Sequence, residues 1–174
     1  DSSAASDVYK RQSNVLNQAD GFVKSASDIF MISNSVINHG ILQSMDHMNI
    51  ESDKIVNEGE IQGDNQISII ANDTKNSGRI FSFANIDIDS NLIQNDLDII
   101  AGNKMTIVGS SMNNSGRMVS GDDTDLTISS DINNSGLLQS NKNIAILSNT
   151  VHNSGSIKGG DQLIMNAKIA TNNG

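Results

Sequence analysis

Ile132-Asn133-Asn134-Ser135-Gly136-Leu137-Leu138-Gln139-Ser140, followed by Ile144-Ala145-Ile146, is one turn of a pattern that fills the chain. Val151-His152-Asn153-Ser154-Gly155-Ser156-Ile157-Lys158-Gly159 repeats it nineteen residues later. Repeats of this length decide a fold before any local propensity does. The glycines act as the ruler. Gly21, Gly40, Gly59 and Gly78 are nineteen apart, and Gly116, Gly136, Gly155 and Gly174 follow at intervals of twenty, nineteen and nineteen. Between Gly78 and Gly116 the gap is two periods, and Leu97 stands where a glycine is due.

Other columns move with the ruler. Two residues before it stand Asn38, Asn57, Asn76, Asn95, Asn114, Asn134, Asn153 and Asn172; the first turn, Asn17 to Gly21, is two residues longer. Two residues after it come Val23, Leu42, Ile61, Ile80, Ile99, Met118, Leu138 and Ile157, and four after it a column of Ser, Gly or Ala. Apolar pairs such as Ile67/Ile69 and Ile86/Ile88 follow at eight and ten. In the coil after Gly116 the pair is read as Leu126/Ile128, delayed by a two-residue insertion in Gly121-Asp122-Asp123-Thr124-Asp125. A last apolar column lies four before the next ruler: Val36, Ile55, Thr74, Ile93, Met112, Ile132 and Val151.

Alternation such as Ile86-Asp87-Ile88-Asp89 is the period of a strand with one buried face. Each repeat therefore reads as a short strand, a small-residue corner, a second short strand, a third apolar point and an Asn-x-Gly turn. Nineteen residues cannot hold a strand, a crossover helix and its loops. Coiling solves this: successive repeats stack as rungs, the main chain bonding to the coils above and below about 4.8 Å away. The expectation is an all-β parallel β-helix, a solenoid of about eight 19-residue coils. Stacked asparagines would form an amide ladder. The glycine column would mark a turn with positive φ, so Leu97 implies strain or a different local turn, with irregularity around Asp96 and Asp98.

Composition limits the partners. A net charge of -9 and no basic run argue against nucleic acid. No apolar stretch approaches the ~20 residues that span a bilayer, so membrane insertion of this segment is not expected. Cysteine is absent, and aromatics are 3%, so aliphatic layers must replace the usual aromatic anchors. Asp7-Val8-Tyr9-Lys10-Arg11-Gln12 resembles, codon for codon, a translation of the transposase-kit adapter end GAT GTG TAT AAG AGA CAG. Residues 1–12 are therefore read as a sequencing-adapter artefact and 13–174 as the β-helix segment of a longer rod.

The columns of Ile132 to Ile146 resemble the haemagglutinin repeats of filamentous haemagglutinins and contact-dependent growth-inhibition exoproteins, and the likeness extends over nearly all of residues 15–174. The resemblance implies a right-handed helix in a long secreted rod on the surface of a Gram-negative bacterium, exported by an outer-membrane two-partner-secretion transporter. Such a rod presents adhesive, receptor-binding or toxin regions to a host or neighbouring bacterial cell surface. The chain then reads as shaft, with neither secretion nor toxin domain.

Candidate sites are sparse. His39, His47 and His152 are scattered and read as surface residues without the three or four convergent ligands of a zinc site. Asp122, Asp123 and Asp125 form an acidic turn lacking calcium-repeat or EF-hand spacing. The expectation is no catalytic, cofactor or metal site. The runner-up is a polysaccharide-binding or polysaccharide-cleaving β-helix, since outward carboxylates such as Asp87/Asp89 are the groups glycosidases use. A cleft, long loops and aromatic sugar platforms are missing from the pattern. An ice-binding face would need an outward Thr array, whereas the column Phe22, Ile41, Glu60, Arg79, Asp98, Arg117, Leu137, Ser156 is chemically mixed.

Overall fold

The computed structural model describes residues 14–174, and the adapter artefact expected at 1–12 lies outside the described residues. The chain coils into a parallel β-solenoid of two sheets. One sheet stacks eight strands of four residues, from Phe22–Ser25 to Ser156–Gly159. The other stacks nine, opening with Val15–Asn17 and then running through strands of ten or eleven residues, from Ile29–Asn38 to Gln162–Asn172. Every pairing is parallel between adjacent coils. Ile61 lies over Ile80, Ile80 over Ile99, and Ile67 over Ile86, so the nineteen-residue period is the physical coil.

The core consists of aliphatic layers. In the coil that begins at Gly78, Ile80, Ile86, Ile88 and Ile93 are each 2% exposed or less. Alternate residues between them face solvent, so the strand period alone sorts the side chains. At the corner closing each short strand, Ser44, Ser82, Ser120 and Ser140 are buried. A serine fits because its hydroxyl finds a carbonyl in its own turn or in the coil before it: Ser44 Oγ donates to His47 O at 2.8 Å, and Ser82 Oγ to Asn65 O at 2.9 Å. A larger apolar residue would forfeit those hydrogen bonds.

Three sequence expectations need correction. First, the second strand of each coil is long, not short. The second short strand and the last apolar point fuse into one long strand, because the chain bends without leaving the ladder. The bend skips a single residue: Ser33 pairs with Ser52 and Ser35 with Lys54, while Asn34 has no ladder partner. Buried serines hold it, Ser52 Oγ donating to Lys54 O and Ser90 Oγ to Leu92 O, both at 3.0 Å. These belong to a second small column, Ser33, Ser52, Ala71, Ser90, Gly109 and Ser148, which the sequence reading passed over.

Second, the coil after Gly116 has no delayed pair. Thr124 lies between Met105 and Ile144, and Leu126 between Ile107 and Ile146, so Thr124/Leu126 occupy the pair columns. The buried Thr124 hydroxyl is satisfied by Ser120 Oγ at 2.8 Å, which lets a threonine stand in an aliphatic column. Ile128 drops into the small column between Gly109 and Ser148. The one extra residue falls between Ile128 and Asp131, in the bend, where the ladder is already interrupted.

Third, no described glycine has a positive φ. The ruler glycines are required by close approach instead. A Cβ on Gly59 would run into Gly40 O, one on Gly78 into Gly59 O, and one on Gly155 into Gly136 O. Successive turns touch through bare backbone, and the amides behind them converge: Ser77 N and Gly78 N both donate to Asn57 O, at 2.8 and 3.0 Å.

Leu97 changes this turn, as its position suggested. Asp96 N still reaches Asn76 O at 2.7 Å, but the second donor to that carbonyl is missing. The bond from Asp98 N to Gly78 O stretches to 3.2 Å, against 2.8 Å for Arg79 N to Gly59 O. The Leu97 side chain points outward, half exposed.

Two stability outcomes follow and are measurable by urea denaturation. Gly78→Ala should destabilise by about 1–3 kcal/mol, the scale of forcing extra atoms into a packed site. Leu97→Gly should be neutral or stabilising, since it restores the common turn and gives up only a half-exposed side chain. Separately, Thr74 Oγ1 is the one buried side-chain polar atom without a partner among the described residues, between Ile55 and Ile93. Thr74→Val should raise stability by about 1 kcal/mol or more, because it removes an unsatisfied hydroxyl at nearly constant volume.

Candidate functional site

The sequence-chosen asparagines come together in one line along the solenoid. Each Nδ2 donates to the Oδ1 of the next coil: Asn38 to Asn57 at 2.7 Å, Asn57 to Asn76 at 2.7 Å, Asn76 to Asn95 at 2.8 Å and Asn95 to Asn114 at 2.8 Å. Asn114, Asn134 and Asn153 continue it to Asn172 at 2.7, 2.7 and 2.6 Å. Asn17 joins from below at 2.8 Å despite the longer turn, which Gly21 N closes on Gln18 O. The same Nδ2 also reaches a backbone carbonyl beside the next turn, as in Asn57 to Arg79 O at 3.0 Å and Asn76 to Asp98 O at 2.9 Å. Asn38 through Asn134 are almost wholly buried, so the ladder is a polar spine satisfied by the stack alone.

Outside this spine lies a shallow polar groove of about 430 Å³ along the turn edge. Gln94, Asn113, Asn133 and His152 line one side, and Asp96, Ser115 and Ser135 the other. Its side chains bond along the axis: Asn133 Nδ2 donates to Asn113 Oδ1 at 2.9 Å, and Ser115 Oγ to Asp96 Oδ1 at 3.1 Å. None of the four phenylalanines lines it.

The histidines, read as scattered, each meet a residue one period away. His39 Nδ1 lies 2.9 Å from Glu58 Oε2, and His152 Nδ1 lies 2.6 Å from Thr171 Oγ1. His47 Nδ1 stands 2.9 Å from Asp46 Oδ1 and 3.3 Å from Asp28 Oδ1. These three residues are the one group among the described residues whose potential ligand atoms converge, within 4.8 Å of one another. Sequence reasoning missed it, although the signal existed: Asp28 and His47 are nineteen apart. Asp28 already accepts the His47 backbone N–H at 3.1 Å, so the carboxylate has a structural use as a cap on the next rung.

The acidic turn is neutralised from both sides. Lys142 Nζ lies 2.5 Å from Asp122 Oδ1, and Lys104 Nζ 2.6 Å from Asp125 Oδ2. The hydrogen bond and charge of these carboxylates push both lysines above the usual range. Asp123 is held below the usual carboxylate range, first by the Asn143 backbone N–H at 3.1 Å and then by its side-chain amide at 2.9 Å. Its stabilising contribution is thus complete at neutral pH and fades only as the pH falls through that lowered value. Asp87, one of the outward carboxylates, accepts from Gln66 Nε2 at 2.5 Å.

No family model matches the chain, and neither curated proteins nor solved structures give a match. Among the described residues no helix is long and apolar enough to cross a membrane.

The spine makes a positional forecast. Asn95→Ala takes one of two acceptors from the Nδ2 of Asn76, removes the donor to the Oδ1 of Asn114 and should cost about 2–4 kcal/mol in chemical denaturation, at about 1–3 kcal/mol for each interior hydrogen bond left unmade. Asn172→Ala removes one bond at an exposed end and should cost clearly less. Equal losses would mean the ladder is not cooperative.

Proposed function

We propose that this chain is a structural shaft segment of a large secreted surface protein of the filamentous-haemagglutinin type, and that it performs no catalysis. The observation that carries the reading is the uniformity of the stack. Ladder, aliphatic layers and turn contacts continue from coil to coil through one Gly replacement, one extra residue, a longer first turn and threonines at 74 and 124, and the side chains outside pair mainly with their own column. A rod of interchangeable coils holds whatever it bears at a fixed distance from the cell. In this reading the segment travels through an outer-membrane transporter and stands at the surface of a Gram-negative bacterium, with adhesive, receptor-binding or toxin regions elsewhere on the rod. Export favours such a repeat, because each coil folds on the template of the last.

The polar groove beside the asparagine spine favours one second reading, a polysaccharide-binding solenoid. Its amides and hydroxyls suit sugar hydroxyls, but no Phe, Tyr or Trp ring lines it as a platform on which a sugar could stack.

Recovering the flanking coding sequence tests the proposal. The expected result is a secretion domain upstream, further coils in the same register, and a transporter gene beside it. Antibody raised against residues 14–174 should then label intact, unpermeabilised cells. A parent protein confined to the cell interior, or release of reducing ends from a polysaccharide by the purified chain, would overturn the shaft reading.

A further inference from the structure

The short-strand sheet shows solvent two columns of side chains. In the first, Ile41, Glu60, Arg79, Asp98, Arg117 and Leu137 lie in register on successive coils. In the second, two residues along each strand, are Gln43, Gln62, Phe81, Ile100, Val119 and Gln139. The first column, chemically mixed as a list, has an order. Read from the opposite end with charges reversed, it is the same column.

We propose that this face is a self-complementary docking surface on which a second copy of the chain packs antiparallel, side by side. The two-fold axis lies in the face along the strand direction and passes between the rungs of Arg79 and Asp98. It sets Arg79 against the copy's Asp98, Glu60 against the copy's Arg117 and Ile41 against the copy's Leu137, each twice. In the second column Phe81 meets Ile100 and Gln43 meets Gln139.

Charge selects this register. With the axis moved onto the rung of Arg79, Glu60 would face Asp98. Moved half a coil further, apolar Ile41 would face Asp98. With parallel rods, the charged column would cover Phe81, Ile100 and Val119. Like charges or buried unpaired charges at an interface are strongly unfavourable, so these alternatives are disfavoured. The pairing has three poor contacts, Gln62 with Val119 and, at the solvated ends, Phe22 with Ser156 and Lys24 with Lys158.

The side chains are available for it. In the single chain, Arg79 reaches Glu60 at only 3.5 Å and Arg117 reaches Asp98 at only 3.6 Å. The Arg79 guanidinium stacks on Phe81, 4.5 Å from the ring centre, and Phe83 stands edge-on to Phe81 with centroids 4.7 Å apart. Phe83 is 59% exposed, and its two-fold counterpart is Gly102, which has no side chain to oppose the ring. Eight rungs of four residues make a face of roughly 13 by 38 Å, about 500 Å² a side from strand and rung spacings. That is at the low end for specific association, so the dimer is weak, with a dissociation constant on the order of micromolar or above.

The inference goes beyond the shaft reading and does not rest on it; a monomer would leave that reading untouched. Sedimentation equilibrium of the full chain should show a concentration-dependent monomer and dimer. Arg79→Glu should weaken association roughly tenfold or more, because like charges then meet twice per dimer. Adding Asp98→Arg should restore it. The double variant places like charges next to each other within each chain, so recovery can come only from contacts across the two-fold. Melting curves confirm that each variant folds. As a second measurement that keeps every charge, Gln43→Cys and Gln139→Cys are purified separately and treated, alone and mixed, with a bis-maleimide spanning about 10 Å, the separation of face-packed sheets; the natural chain has no cysteine. The mixture should crosslink, whereas Gln43→Cys alone should not, its own copy lying about five rungs or 24 Å away. A monomer at all concentrations, indifference to Arg79→Glu, no rescue in a folded double variant, or self-crosslinking of Gln43→Cys would each overturn the proposal.

Discussion

A carboxamide that must donate and accept along the same axis constrains everything stacked on it. Asn57 gives its Nδ2 to Asn76, which gives its own to Asn95, and none has water as an alternative partner. If a coil slipped by two residues, Asn76 would face an aliphatic side chain, Ile55 or Ile93, and two buried groups would lose their partners. The ladder therefore fixes register in a way the layers of Ile and Leu cannot, since one aliphatic residue packs on another almost as well as on its intended neighbour. This accounts for what the stack tolerates. Leu97 takes the place of a ruler glycine, threonines enter at 74 and 124 and a residue is added after Ile128, yet the asparagine persists through all of them.

Where the irregularities sit follows from the same constraint. The extra residue is absorbed in the bend of the long strand, where the ladder already skips a residue and no ladder asparagine sits. The Leu97 turn gives up one backbone hydrogen bond but keeps Asn95 Nδ2 on Leu97 O at 3.1 Å and on Arg117 O at 3.2 Å. Strain is thus accepted on the solvent side of the spine and excluded from the spine itself.

The periodicity was enough to read the solenoid, its coil length, the spine and the inward columns, because each of these is a property of identical residues at identical phase. The errors arose where side-chain type and phase disagreed. Leu126/Ile128 looked like a shifted aliphatic pair, but hydrogen bonding from Ser120 makes Thr124 acceptable inside, and phase prevailed over hydropathy. Local turn chemistry points to positive φ at the glycines, whereas their reason is the carbonyl one coil away, which no single turn reveals. The bend serines were legible as a column of small residues and were overlooked because Ala71 and Gly109 share it without sharing the hydroxyl. The Asp28, Asp46 and His47 group was hidden because its members belong to two coils and become neighbours only on stacking.

In a solenoid the inward columns are held alike by the stack, so selection for anything beyond persistence has only the outward columns to act on. Random drift would leave those columns without order across coils. The column from Ile41 to Leu137 instead alternates in charge through Glu60, Arg79, Asp98 and Arg117 and is closed by an aliphatic residue at each end. Stabilising each coil against the next would account for alternation alone, through the Arg79 and Glu60 pair and the Arg117 and Asp98 pair. It does not account for the apolar ends, nor for Phe81, Ile100 and Val119 occupying the middle of the neighbouring column, where an isolated rod would gain more from polar residues. An arrangement symmetric over six coils has a meaning only for something that contacts all six at once.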